Sequence, residues 1–383
     1  MFRPCSKASI GLALLAAVAT PVAPLAAQEA AAEGAATEPA DPPVVLRAER
    51  LIVRPGQVLE DVSVLVRDGR ILEVGSDLAL PEGATVVEGA VVCVGFIDSW
   101  SRLGVDSTSY RDRSAGPATR TVDAIDPYAN ERQRRAVLAA GVVAARVEVG
   151  SGASVGAVGA VVANHPGGGL EDLVLSGEAC VTASISGSDV FERIDAAERI
   201  AATIEQGASY REAQLDYAKE LAEWEAAIAE KVEELEDGFK KAKKARDKAI
   251  EEAEEEGDEH KEEKYKEDRR PRKPNYDPNA EVMARVAAGE LPIVVEAHRA
   301  ADIRLLLEAM AGFPRVRWVL AGATDAHFLA EELAERKVPV LIAPQRRGLG
   351  GSFGADEFEL AGQLERAGVP VLLGSDGTLA GRD

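Results

Sequence analysis

Short apolar runs separated by turn residues recur along most of this chain. Residues 44–46, 51–53, 62–66, 71–74 and 85–87 are brief β-type stretches, predicting a strand-rich unit of roughly fifty residues. Arg67-Asp68-Gly69-Arg70 between two of them reads as an Asp-Gly hairpin, and Pro55-Gly56 as a second turn. From residue 91 the rhythm changes. Apolar runs now alternate with helical segments, the grammar of βα units and a parallel sheet. Strands are predicted at 92–97, 142–147, 157–162, 180–185, 292–295, 316–320, 338–342 and 369–373. A helix capped by Asp126-Pro127 should stop at Gly141, and others should span 300–310, 325–336 and 356–367. About eight strands in this order is the number of a closed (β/α)8 barrel. An open doubly wound sheet is the runner-up. Gly348, Gly350, Gly351 and Gly354 do not follow the dinucleotide spacing.

The alternation is interrupted by an insert over residues 207–279. Between Ser209 and Lys273 stand 22 acidic and 16 basic residues, a net of -6, so this stretch belongs to solvent rather than to a core. Leu221, Ile228 and Leu235 are seven apart, and Trp224, Val232 and Phe239 interleave at helical spacing. That pattern predicts a helix with one apolar stripe, as in a short coiled coil. A solvated helical arm and a dimer or partner contact both fit it. Residues 269–278 form a Pro-rich return.

The ends of the chain carry further signals. Arg3 and Lys7 precede an apolar run over 10–22 broken by Pro21, with Pro24, Ala26 and Ala27 following. This is the order of a secretory signal peptide, expected to be cleaved after Ala27, so the mature protein is expected in the periplasm or outside the cell. The run is short and Pro-broken for a membrane span. Residues 28–43 are an Ala/Glu/Pro-rich tether. Cleavage removes Cys5. Cys93 and Cys180 lie in apolar runs and read as buried free thiols, with a disulfide left open.

Across 383 residues the net charge is -21, which excludes a general nucleic-acid binder and disfavours anionic membranes. With 46% hydrophobic but only 4% aromatic residues, small aliphatic side chains must do most of the packing. No G-x-S-x-G elbow is present, so an α/β-hydrolase reading lacks its nucleophile.

Asp68-Gly69-Arg70-Ile71, then Gly95-Phe96-Ile97-Asp98 with Leu103-Gly104, resembles the frame of the amidohydrolase superfamily, particularly its exported imidazolonepropionase-like members. Val122–Pro127, Glu296–Ile303, Val338-Pro339-Val340 and Gly374-Ser375-Asp376-Gly377 match later parts of that frame in order. The resemblance implies a small β-sandwich over 44–91 and a TIM-like barrel over 92–383, interrupted by the insert. It implies hydrolysis of non-peptide carbon–nitrogen bonds by water activated on a Zn-type ion, with the eighth-strand Asp376 taking the proton. Relatives continue past the position of Asp383, so the C-terminal part of the family fold is expected to be absent here.

The family's first barrel strand presents two His at alternate positions, both on one side of the strand. Here those positions hold Trp100 and Arg102. Indole offers no lone pair, and a guanidinium is a permanent cation. At the fifth strand Glu296 stands at the ligand position, with His298 next. The sixth strand ends in Ala321-Gly322 without a His. The resemblance thus leaves Glu296, His298 and Asp376 as a reduced metal set, with His165 as a remote candidate from the loop 164–169. His327 falls in a helix and His260 in the charged insert, both positions of solvated residues. Arg102 in the vacated place would pair with Asp376 or Glu296. Residues 348–354 read as a mobile loop or an anion cradle.

Three readings stay open: a hydrolase with a reduced metal site, a metal-free barrel that binds a small ligand or an active relative, and an interaction protein working through the insert as a homo-oligomer or with a partner.

Overall fold

The computed structural model describes residues 42–105, 115–128, 131–150, 154–165, 168–253, 270–343 and 359–375, with backbone alone for 234–236 and 238–253. The expected signal peptide, nearly all of the tether, His260, the glycine-rich 348–354 and the chain after Ser375 lie outside these residues. The chain divides into two units, with the break between Val94 and Gly95.

The first unit is a four-stranded sheet. Its strands are β1 (Val44–Arg54), β2 (Gln57–Arg67), β3 (Arg70–Gly75) and β4 (Thr85–Cys93), in the order β3-β2-β1-β4. The Asp-Gly turn sits where the sequence places it. Asp68 and Gly69 have φ of 49° and 70°, the two left-handed residues of a type I′ hairpin. The strands are longer than their apolar runs because interleaved charged residues such as Arg47 and Arg50 also join the ladder. Val45, Ala48, Val62 and Val64 are buried. Cys93, expected to be buried, is exposed, because it ends an edge strand whose side chains are mostly open to solvent.

The second unit is an eight-stranded sheet: β5 (Phe96–Ser101), β6 (Val142–Val147), β7 (Val155–Ala163), β8 (Val174–Ser184), β9 (Ile293–Ala297), β10 (Trp318–Gly322), β11 (Val340–Ile342) and β12 (Val371–Leu373), hydrogen-bonded in that order. Its helices are α1 (Glu131–Ala139), α2 (Leu170–Leu173), α3 (Val190–Ala253), α4 (Pro278–Ala287), α5 (Ala300–Met310), α6 (Ala330–Glu335) and α7 (Leu360–Arg366). The sheet is a nearly closed barrel. Beyond β12, Ser375 N–H donates to the Trp100 carbonyl on β5 at 2.9 Å. Asp98 accepts from Ser375 N at 2.8 Å and Ser375 Oγ at 2.6 Å. Gly374 makes this approach possible, since a Cβ there would lie 2.5 Å from Trp100 Cβ.

Two expectations need correction. The predicted strand 92–97 straddles the unit boundary: Val92 and Cys93 complete β4, and β5 starts afresh at Phe96. The barrel is also not all parallel. β7 runs antiparallel to both β6 and β8. Only residues 148–154 join β6 to β7, and a parallel crossover needs roughly a dozen or more.

The sheet has two buried faces. Ile293, Val295, Leu320, Val340 and Ile342 pack outward with Ile303, Leu306, Leu307, Leu333 and Leu364 of the helices. The alternate residues Val294, Ala321 and Leu341 gather inside with Trp100 and Cys180, as period-two alternation in a barrel requires.

The insert is not a separate element starting near Gly207. Its helix begins at Val190, and its first turns bury Ala196, Ala197, Ile200 and Ile204 in the outer core. Arg193 Nε meets Asp302 of α5 at 3.1 Å. A Cβ on Gly207 would lie 2.4 Å from the Met283 carbonyl carbon, so glycine sets how closely α3 crosses α4. At 1.5 Å per residue, α3 is about 96 Å long. Along its next turns, positions 210, 214, 217, 221, 224, 228 and 231 are half-buried while the residues between them are exposed. This is a heptad seam. The Pro-rich return passes beside it, with the Arg270 guanidinium 6.0 Å from the Trp224 ring centre. Leu235 and Phe239 lie where only backbone is described.

Candidate functional site

The ends of the parallel strands form the barrel mouth, where TIM barrels carry their chemistry. On one side, Glu296 lies near the end of β9 and His298 just beyond it. β9 pairs with β10 so that Ala297 faces Gly322. The turn after Gly322 then brings Thr324 to the imidazole: His298 Nδ1 and Thr324 Oγ1 are 2.9 Å apart, and His298 Nε2 and Glu296 Oε1 are 3.1 Å apart. Gly322 has φ 78°, and a Cβ there would sit 2.6 Å from His298 Cε1. Ala323 adopts φ 51°, a strained conformation for a residue with a side chain. It is held by its N–H to the Ala297 carbonyl at 2.9 Å. A carboxylate only accepts, so a neutral ring carries its proton on Nε2 toward Glu296, and Nδ1 accepts from the Thr324 hydroxyl.

On the other side, Trp100 is buried and its Nε1–H donates to Glu148 Oε1 at 2.8 Å. The second oxygen of Glu148 pairs with Arg146 Nη1. Arg146 Nε donates to the Ser99 carbonyl at 2.6 Å, and its Nη1 also lies 3.5 Å from Cys180 Sγ. An arginine, a glutamate, an indole and a thiol thus fill part of the lumen as one bonded chain. Burial works against the charged guanidinium, yet the Glu148 carboxylate and the Cys180 sulfur hold Arg146 above its ordinary value. Burial pushes the Cys180 thiol up, and Arg146 only partly pulls it back. Gly159 on β7 leaves room for this group: a Cβ there would be 3.4 Å from Cys180 Sγ and 3.6 Å from Arg146 Nη1.

The structure brings Glu296 and His298 together. Asp376, the third member of the expected set and the expected proton acceptor, lies outside the described residues, as does any pairing of it with Arg102. His165 does not belong to the mouth. β7 runs backwards, so Asn164 N bonds to the Val143 carbonyl at 2.8 Å, placing His165 at the starting end of β6. His327 is exposed in a short 3-10 turn, its ring centre 3.9 Å from that of Phe328. Arg146, Glu148 and Thr324 were not singled out from sequence. The signal for the first two is present: Val142–Val147 and its continuation read VVAARVEV, with two charges at period two in an apolar strand.

The resemblance implies a divalent ion at this mouth, and on the first-strand side the described residues do not fit one. Glu148 is engaged by an indole N–H and a guanidinium. Among the described residues, no group of three or more His, Cys, Asp or Glu side chains is placed to hold a metal ion.

No protein-family model matches the sequence, and no curated protein matches it. The likeness is structural. An amidohydrolase from Thermotoga maritima MSB8 superposes with a TM-score of 0.58 at 20% identity, over 88% of this chain and 79% of that one. Ochratoxinase from A. niger gives 0.41 at 13%, over 89% and 77%. A triazine hydrolase from Arthobacter aurescens gives 0.36 at 14%, over 88% and 72%. The first match establishes the fold class, an amidohydrolase-type barrel with an N-terminal sheet unit. The other two scores are too low to add to it.

Proposed function

We propose that this chain is an amidohydrolase-superfamily protein, of the exported imidazolonepropionase-like kind, whose barrel has left the superfamily's metal-assisted hydrolysis and serves to bind a ligand at its mouth. The observation that carries this reading is the Trp100–Glu148–Arg146 chain. The first-strand ligand position holds a donor, and that donor is locked onto a carboxylate already neutralised by arginine. Among the described residues the mouth presents a polar pair, Glu296 and His298, with 42% and 25% of their side chains exposed. Such a pair suits a small polar molecule offering both a donor and an acceptor. The test is binding of cyclic amides and dipeptides by calorimetry, alongside their turnover. Binding without hydrolysis, weakened by His298→Ala, supports the reading; turnover lost with bound metal overturns it.

A second reading has its own support. Two donors 3.1 Å apart is also the spacing of neighbouring ligands on one ion with bonds of about 2.1 Å. Glu296, His298 and Asp376 would then hold a Zn-type ion, and the protein would hydrolyse a carbon–nitrogen bond. Retained metal lost on Asp376→Ala would select it. Among the described residues no helix is long and apolar enough to cross a membrane. The seam along α3 would serve self-association or docking to an active relative, tested by sedimentation of the full chain against the variant Leu221→Ser/Trp224→Ser/Ile228→Ser, which alters the seam and leaves Gly207 and the cap of α4 in place.

A further inference from the structure

We propose that Arg146 is the fixed cation standing in for the superfamily's divalent ion, and that its charge, beyond the loss of first-strand ligands, keeps metal out of this barrel. The inference rests on the metal-free reading of the mouth and assigns that state to a residue outside the family's ligand positions.

An arginine inside an apolar strand loses nearly all its hydration, and such a charge persists only when paired and hydrogen-bonded. Arg146 is 9% exposed and meets that condition at Nε and Nη1 through three groups, the Ser99 carbonyl, Glu148 and Cys180, while its Nη2 is buried without a hydrogen-bond partner. Two of these contacts tie it to the first-strand position. Ser99 precedes Trp100 in the chain, and Glu148 is shared between Arg146 and the Trp100 indole. Arg146 and Glu148 are therefore one ion pair, each the other's charged partner. Guanidinium does not lose its proton in proteins, so this charge cannot be titrated away. The pair as a whole is neutral, so a divalent ion entering the lumen would have to displace a fixed, desolvated guanidinium from its carboxylate partner Glu148. On the neighbouring β7, a Cβ at Gly159 would stand in ordinary contact with Cys180 and Arg146, its tightest approach being 3.2 Å to the Val147 carbonyl oxygen.

This account makes a non-additive claim. Restoring imidazoles alone, in Trp100→His/Arg102→His, should leave the barrel without metal. Adding Arg146→Met should let it retain one Zn²⁺ per chain. The experiment equilibrates full-length proteins with Zn²⁺, removes loose ion by gel filtration, and reads metal by elemental analysis and Zn²⁺-dependent thermal stabilisation. Arg146→Met leaves Glu148 without its partner and can unfold the barrel. A parallel variant, W100H/R102H/R146Q/E148Q, keeps a neutral hydrogen-bonding pair and is expected to gain the same ion. Retention by the double variant with Arg146 in place overturns the inference. So does a folded Arg146 variant that retains none. The function proposed above is judged separately, on the unaltered chain: an ion retained there and lost on Asp376→Ala sinks that reading directly.

Discussion

Arg146→Met is the perturbation from which the lumen network can be weighed. It removes a charge whose partner Glu148 has only 13% of its side chain exposed. Breaking one side of a buried pair costs about 3–5 kcal/mol, since the other charge stays behind. The Ser99 carbonyl also loses its donor, adding about 1 kcal/mol. For a unit of this size each kcal/mol moves the midpoint by about 2–3 °C, so a fall of about 8–18 °C is expected in a thermal melt followed by circular dichroism. The control is Arg146→Met/Glu148→Leu. Removing both charges should recover much of the loss, leaving chiefly the unpaired Trp100 N–H at about 1–3 kcal/mol. A single variant within about 1 kcal/mol of wild type, or a double variant less stable than the single, would refute the buried-pair reasoning.

Cys180 offers a pH test. Its folded pKa is raised by burial, so its stabilisation is full below the ordinary thiol value of about 8.5 and is lost as pH rises through the folded value. Stability should fall by up to about 1.4 kcal/mol per pH unit from this group between the ordinary thiol value and the raised folded one, and Cys180→Ala should flatten that part of the profile in urea titrations; an unchanged slope would contradict it. Asp98→Ala removes acceptors for Ser375 N, Ser375 Oγ and Trp100 N. It should cost about 3 kcal/mol and raise hydrogen exchange near β5 and β12, whereas unchanged protection would show that closure does not depend on it. Gly207→Ala pushes a methyl against the Met283 carbonyl and should cost about 1–3 kcal/mol of unfolding free energy; a neutral result would mean the α3–α4 crossing is looser than its geometry.

The fold was largely legible because barrel strands announce themselves as apolar runs between glycines and helical stretches. α5 was expected at 300–310 and is found there. The hidden parts follow from physics that local pattern does not carry. β7 has the composition of any buried strand, so its direction shows only in the length of the link before it. α4 was hidden behind the Pro-rich return, although Asp277 caps it with bonds to Asn279 N and Ala280 N. Of the site, Glu296, His298 and Trp100 were reached through resemblance. Arg146 and Glu148 were passed over because resemblance directs attention to positions where ligands should be, and these two lie on the next strand and just past its end. Their alternation within an apolar run was the available clue. Thr324 carried none, since its role arises from a turn built on Gly322 and Ala323.

The most direct test of the central claim is the metal content of the mature, unaltered chain after incubation with Zn²⁺ and Mn²⁺ and removal of loose ion, with a circular-dichroism melt to establish that it is folded. A folded protein retaining no ion is the expected result. One tightly held ion per chain, lost on Asp376→Ala, would contradict it and return the barrel to metal-assisted hydrolysis.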